Sequence, residues 1–194
     1  IQQVSSDPST ELAKLDAAFK KTVSDIEKIK EVASKSLKEE ELAIFDAHLM
    51  MANDPEFRGM IEQDINDNKN NAEFAAKTVS DNMVAMFEAM DDEYMRGRAA
   101  DIRDVSFRLQ CNLAGKEIPN LATLNEPVVV VAKDLTPSDT GSLNKEFAKG
   151  FATEVGGRTS HSAIMARSLE IPAVVGVTGI LAAAKSGDSV ILDA

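Results

Sequence analysis

Apolar positions recur every three or four residues through residues 1–113 and then switch to short continuous runs, so the chain reads as two halves built on different periods. Asp7 followed by Pro8 marks a helix start, with Leu12, Leu15, Phe19, Val23 and Ile26 on one stripe and an end near Ala33. Ser36 with Glu39 has the spacing of a capping box, after which Leu42, Phe45 and Leu49 line a second helix. Asp54-Pro55 restarts the chain for Phe57, Ile61 and Ile65, and the polar stretch Asn68–Asn71 breaks it again. Val79, Met83, Met86 and Met90 form the next stripe. Asp91-Asp92 marks a joint before a last helix carrying Tyr94, Ile102, Val105 and Leu109 to about Leu113. Each stripe must be buried against another, which predicts an antiparallel bundle of four or five helices with methionine as core filler.

After Gly115 four runs read as strands: Val128–Ala132, Gly150–Val155, Ala173–Gly176 and Ser189–Leu192. Between them Thr136 caps a short helix with Pro137 at its first position, Ser162–Leu169 forms a second, and Ile180–Lys185 a third. Strands alternating with helices predict a small α/β layer, so the expected division is a helical segment, 1–113, and an α/β segment, 114–194.

Composition narrows the possibilities. The 194 residues are 44% hydrophobic, enough to bury a core and exclude disorder as the main state. One cysteine, Cys111, excludes a disulfide framework and fits a reducing, cytoplasmic setting. No apolar run approaches the roughly 18 residues of a membrane span, and no secretory signal is visible. The helical half holds 23 acidic against 14 basic residues (net −9) of the total −11, which argues against nucleic acid and for a basic partner, or for a solvated helical face.

The chemistry concentrates in Gly156-Gly157-Arg158-Thr159-Ser160-His161-Ser162, between a predicted strand and a predicted helix. Glycine lets the backbone turn sharply, Thr159 or Ser160 can cap the helix, and His161 then lies in its first turn beside unpaired amides. That is an anion site with a histidine in it. A neutral imidazole has a lone pair with which to attack phosphorus or carbon, and no triad for carbonyl chemistry is visible. Gly157, Arg158, Thr159, Ser160 and Ser162 are the candidate neighbours of a phosphoryl group, Arg158 as a direct contact or as a structural residue. A cap or surface histidine is the plainer reading. No lysine follows the glycines as a nucleotide loop requires, and His48, His161 and Cys111 make a poor zinc set.

The run GGRTSHSAIMARSLEIPAVVG from Gly156 closely resembles the active-site signature of the Enzyme I family of the bacterial phosphoenolpyruvate:sugar phosphotransferase system. AIFDAHLMMANDPE from Ala43, DDEYMRGRAADIRD from Asp91 and DLTPSDTGSLN from Asp134 resemble further segments of that family in the same order. The resemblance implies a swivelling α/β phosphohistidine domain with an inserted helical subdomain. It implies that His161 accepts a phosphoryl group on Nε2 and passes it to a histidine of the carrier protein HPr, and that Thr140 meets the unphosphorylated ring. Glu39, Glu40, His48, Leu49, Met51, Asp54, Glu56 and Arg98 match the family's docking face for HPr, whose basic surface would suit the acidic half.

The family also has a strand before the first long helix, and a later barrel domain that binds phosphoenolpyruvate and Mg2+ and forms the dimer. These 194 residues are therefore expected to be a fragment, monomeric, without a cofactor of their own. The competing expectation is a docking module that binds HPr or another basic partner without chemistry.

Overall fold

A computed structural model describes residues 7–194 apart from 36, 119 and 159. Among the described residues it contains eight α-helices and three strands: α1 (Pro8–Ala33), α2 (Glu39–Ala52), α3 (Pro55–Asn68), α4 (Ala72–Glu88), α5 (Glu93–Leu113), β1 (Val128–Ala132), α6 (Pro137–Gly141), β2 (Ala148–Thr153), α7 (His161–Leu169), β3 (Ala173–Val174) and α8 (Ile180–Ala183). Packing divides the chain into two compact units. One runs to Lys28 and resumes over Ala43–Ile118; the other joins Ile29–Leu42 to Pro119–Ala194. The turn between α1 and α2 thus groups with the α/β part, whereas a division at residue 113 assigns it to the helical part.

Within the helical unit the stripes meet as their period dictates. Leu15 and Phe19 of α1 pack with Phe57, Ile61 and Ile65 of α3, Ala72, Ala75 and Ala76 of α4, and Leu109 of α5. Phe19 and Phe57 meet edge to face, their centroids 5.9 Å apart. The alanines give α4 a thin face against its neighbours. Asp54 and Asp92 cap α3 and α5, and Lys69, in the left-handed conformation, closes α3. Asn71 makes no side-chain cap for α4; instead the buried carboxylate of Glu11 accepts from the Ala72 N–H at 2.8 Å, a cap supplied from another helix.

Two helical expectations are corrected, and a third falls partly outside the described residues. The Val79–Met83–Met86–Met90 stripe divides: Val79 and Met83 are half-buried and pack against the helical core, whereas no residue from Asp81 to Arg98 is fully buried, Met86 being 53% and Tyr94 72% exposed. The stripe has the right period, yet none of the methionines before residue 100 is fully buried. On α2 the inward residues are Phe45, His48 and Ala52, with Leu42 and Leu49 only half-buried. Ser36 lies outside the described residues; the glutamate reaching back to the start of α2 is Glu41, which accepts from the Lys38 N–H at 2.8 Å.

In the α/β unit the sheet is parallel with order β1-β2-β3. The central β2 is buried at every position but Lys149, and the outer strands are half-buried. Leu135, Phe151 and Ala166 form the core beneath α7. The fourth expected strand is not formed: residues 189–192 make no ladder, although Leu192 reaches the sheet. A Cβ at Gly150 would collide with the Leu192 side chain and come within 2.7 Å of the Pro172 carbonyl oxygen, so only glycine fits at that point of β2. Packing of one side chain over a strand has replaced pairing.

Candidate functional site

Both candidate catalytic residues follow the carboxyl ends of parallel strands, where helix starts and loops converge in α/β sheets. Thr140 lies on α6, after β1, and His161 opens α7, after β2. The chain leaves β2 through Gly156, whose φ of +112° excludes ordinary side chains. Ser160 is the N-cap: its N–H donates to the Gly157 carbonyl at 2.9 Å, and its hydroxyl accepts from the Ala163 N–H at 3.3 Å. His161 is half-buried, and its Nε2 stands 3.1 Å from the Oγ1 of Thr140, itself 1% exposed.

The expected phosphate neighbours separate into two groups. Gly157 and Arg158 are exposed, and Ser160 is half-buried. Ser162 is fully buried, its hydroxyl 3.1 Å from that of Ser160, so it braces the cap from inside. Arg158 lines a cleft of about 320 Å³ with Arg167 and Glu170 that His161 does not border. Thr159 lies outside the described residues.

Sequence reasoning noticed Thr136 as a helix cap but missed its partner. Asp139 completes a capping box, its Oδ2 accepting from the Thr136 N–H at 2.9 Å and from the Thr136 hydroxyl at 3.0 Å. The signal was legible in the spacing Thr-Pro-Ser-Asp. Another contact tethers the far end of α7: the Ser168 hydroxyl donates to the Glu41 carboxylate and holds that carboxyl below its ordinary value.

The expected docking residues are also dispersed in role. Glu39 and Glu40 are exposed in the first turn of α2, and Glu56 is exposed on α3. Asp54 is engaged as a cap, accepting from the Glu56 N–H at 2.8 Å. Leu49 is half-buried and Met51 packs against the helical core, while Met50, not singled out from the sequence, is 75% exposed. Arg98 is half-buried with its Nε 3.4 Å from Asp101.

His48 is a correction. It is fully buried, edge-on to Phe45, with Nε2 3.4 Å from Asp101 Oδ1 and Nδ1 4.0 Å from Asp104 Oδ2, so its ring has no surface to offer a partner.

Comparison with known proteins bears on both halves. Residues 1–98 match the family model of the N-terminal domain of PEP-utilising enzymes, and residues 124–194 match that of their mobile domain. The phosphoenolpyruvate-protein phosphotransferase of Listeria monocytogenes is 52% identical over 187 residues, covering 96% of this chain and 33% of its own length. That of Bacillus subtilis is 52% identical over 188 residues, with 97% and 33% covered. The chain therefore spans about a third of the curated relatives it matches. The solution structure of Enzyme I (nEIt) superposes with a TM-score of 0.84 at 46% identity, covering 97% of this chain and 77% of that one. The N-terminal domain of Enzyme 1 - Nitrogen superposes at 0.68 and 27%, covering 91% and 71%.

Proposed function

The chain belongs to the phosphoenolpyruvate-utilising enzyme family as the N-terminal part of an Enzyme I, and from that premise we propose that it is a phosphoryl relay in which His161 is the covalent acceptor. The supporting observation is the half-buried imidazole at the mouth of the parallel sheet, with its Nε2 against the Thr140 hydroxyl. The Thr140 hydroxyl is a neutral partner, and a rotation of the ring breaks that contact. In the exchange, the Nε2 lone pair forms a bond to phosphorus as the phosphorus–nitrogen bond of phosphorylated HPr breaks, and the electron pair stays on the HPr imidazole. Reversal delivers the group to HPr. Catalysis rests mainly on positioning two imidazoles in line.

We assign docking of HPr to the helical segment, 1–113, and phosphoryl chemistry to 114–194. In favour are the net charge of −9 in the first segment and the exposure of Glu39, Glu40, Glu56 and Met50. With His48 buried, the apolar contribution to docking falls to Met50 and to the half-buried Leu49 and Met51. Phosphoenolpyruvate, magnesium and dimer formation we assign to the two thirds of the relatives that this chain does not cover. Among the described residues no group of three or more His, Cys, Asp or Glu is disposed to hold a metal ion, and no step here is routed through one. No described helix is long and apolar enough to cross a membrane, and we place the relay in the cytoplasm.

The test mixes the chain with phosphorylated HPr and follows phosphorus NMR and intact mass. One acid-labile phosphoryl group on His161, removed by unphosphorylated HPr and absent from His161→Ala, is the expected result. Binding of HPr with no transfer would replace the relay by a docking module.

A further inference from the structure

The Thr140 hydroxyl has three neighbours at 3.1 Å: the carbonyl oxygens of Thr136 and Pro137, and Nε2 of His161. A hydroxyl carries one proton, and a carbonyl oxygen only accepts. If that proton were directed at Nε2, two carbonyl oxygens would face the hydroxyl's lone pairs with no proton between them, at a position closed to water. If the proton is shared by the two carbonyls, Oγ1 is left as an acceptor and Nε2 must donate. The second arrangement satisfies all four atoms.

What holds those carbonyls in place is then the question. The helix carrying them, α6, has five residues, too few to hold its own shape, and Pro137 brings no N–H. Three bonds between Thr136 and Asp139 brace its start. Oδ2 of Asp139 accepts from the Thr136 N–H at 2.9 Å and from its hydroxyl at 3.0 Å, and the Asp139 N–H donates back to that hydroxyl at 3.2 Å.

We propose that Asp139 is a positioning residue for His161: by clamping Thr136 it fixes the carbonyls that take up the Thr140 proton, so that Thr140 accepts and the resting imidazole carries its proton on Nε2. The proposal rests on the reading of His161 as phosphoryl acceptor. It adds a condition to that reading. In the resting state the Nε2 electron pair is tied up in an N–H bond. Before an N–P bond can form there, the ring must leave Thr140, Nε2 must give its proton to water, and Nδ1 must take one up. Asp139 thereby keeps the acceptor latent until the ring swings out.

The test reads the proton directly. Imidazole nitrogen shifts and two-bond couplings of the 15N-labelled, unphosphorylated chain, at about pH 8 where an ordinary imidazole is neutral, report the two tautomers of His161. The Nε2–H form should dominate. Asp139→Ala should shift the ratio toward Nδ1–H by about fivefold, the worth of one hydrogen bond. Asp139→Asn should retain the original ratio, because its oxygen keeps both acceptor contacts. Thr136→Ala, which preserves the backbone bond to Asp139, should move it in the same direction by less, and it serves as the probe if Asp139→Ala does not fold. A proton on Nδ1 in the unaltered chain, or an unchanged ratio in the folded variant, would overturn the proposal. Because no phosphoryl donor is present, failure of His161 to accept phosphate would defeat the relay and leave this readout standing. An unchanged ratio in a chain that does accept phosphate would defeat only the role of Asp139.

Discussion

The two histidines of this chain occupy opposite surroundings. His48, in the helical unit, is fully buried against Phe45, with the carboxylates of Asp101 and Asp104 at 3.4 and 4.0 Å. His161, in the α/β unit, begins a helix, is half-buried, and meets a hydroxyl at 3.1 Å. One ring is fixed by packing and charge; the other is held by a contact that a rotation can break. A covalent carrier needs the second kind of site, because a group that must be handed on cannot be enclosed. Burial therefore separates the histidine of the core from the histidine proposed as the phosphoryl carrier, where residue type alone does not.

The contrast breaks most decisively by substitution. His161→Ala is expected to abolish phosphoryl acceptance while changing stability by less than about 0.5 kcal/mol, as for a residue outside the core. His48→Ala is expected to cost about 2–4 kcal/mol in denaturant unfolding, from the cavity left by a fully buried ring. Comparable losses of stability for the two variants would erase the distinction.

A smaller effect concerns how helices of the first unit are joined. Burial pushes the Glu11 carboxyl up, but the Ala72 N–H and Lys14 outweigh it and hold the group below its ordinary value of 4.5. Its contribution is therefore complete above pH 4.5 and fades as pH falls through the depressed folded value. Glu11→Ala should lower stability at neutral pH by roughly 1–2 kcal/mol, as loss of a helix cap does, with the difference shrinking in acid. A pH-independent difference would remove the cap from the account.

Smallest is the change at the tip of the α4–α5 hairpin. Met86→Gln should alter stability by less than about 0.5 kcal/mol, because a side chain 53% exposed leaves no cavity. A loss near the 2–5 kcal/mol of a core truncation would restore the expected core stripe.

Much of this was legible in the chain itself. Asp54-Pro55 and Asp92 start helices where local capping chemistry says they must, since a cap depends on residues two or three positions away. β1 and α7 form where short apolar runs and a serine cap foretell them. The same locality explains the failures. The Met86 stripe has a faultless period, yet period says only that residues share a face and not how much of that face is covered. Residues 189–192 have strand composition but no partner to pair with, and Leu192 packs over Gly150 instead.

The sequence by itself therefore determined most of the elements, the caps of α3, α5 and α7 and the placing of His161 at a helix start, because hydrogen bonds and side-chain periods within a few residues decide these. Tertiary structure alone decided that His48 faces inward between two carboxylates and that Glu11 caps a helix 61 residues away. The meeting of Thr140 with the ring, 21 positions away, was implied by the family resemblance and by no local pattern. These pairings depend on which faces of distant segments are brought together, and only the packing of the whole core brings them together.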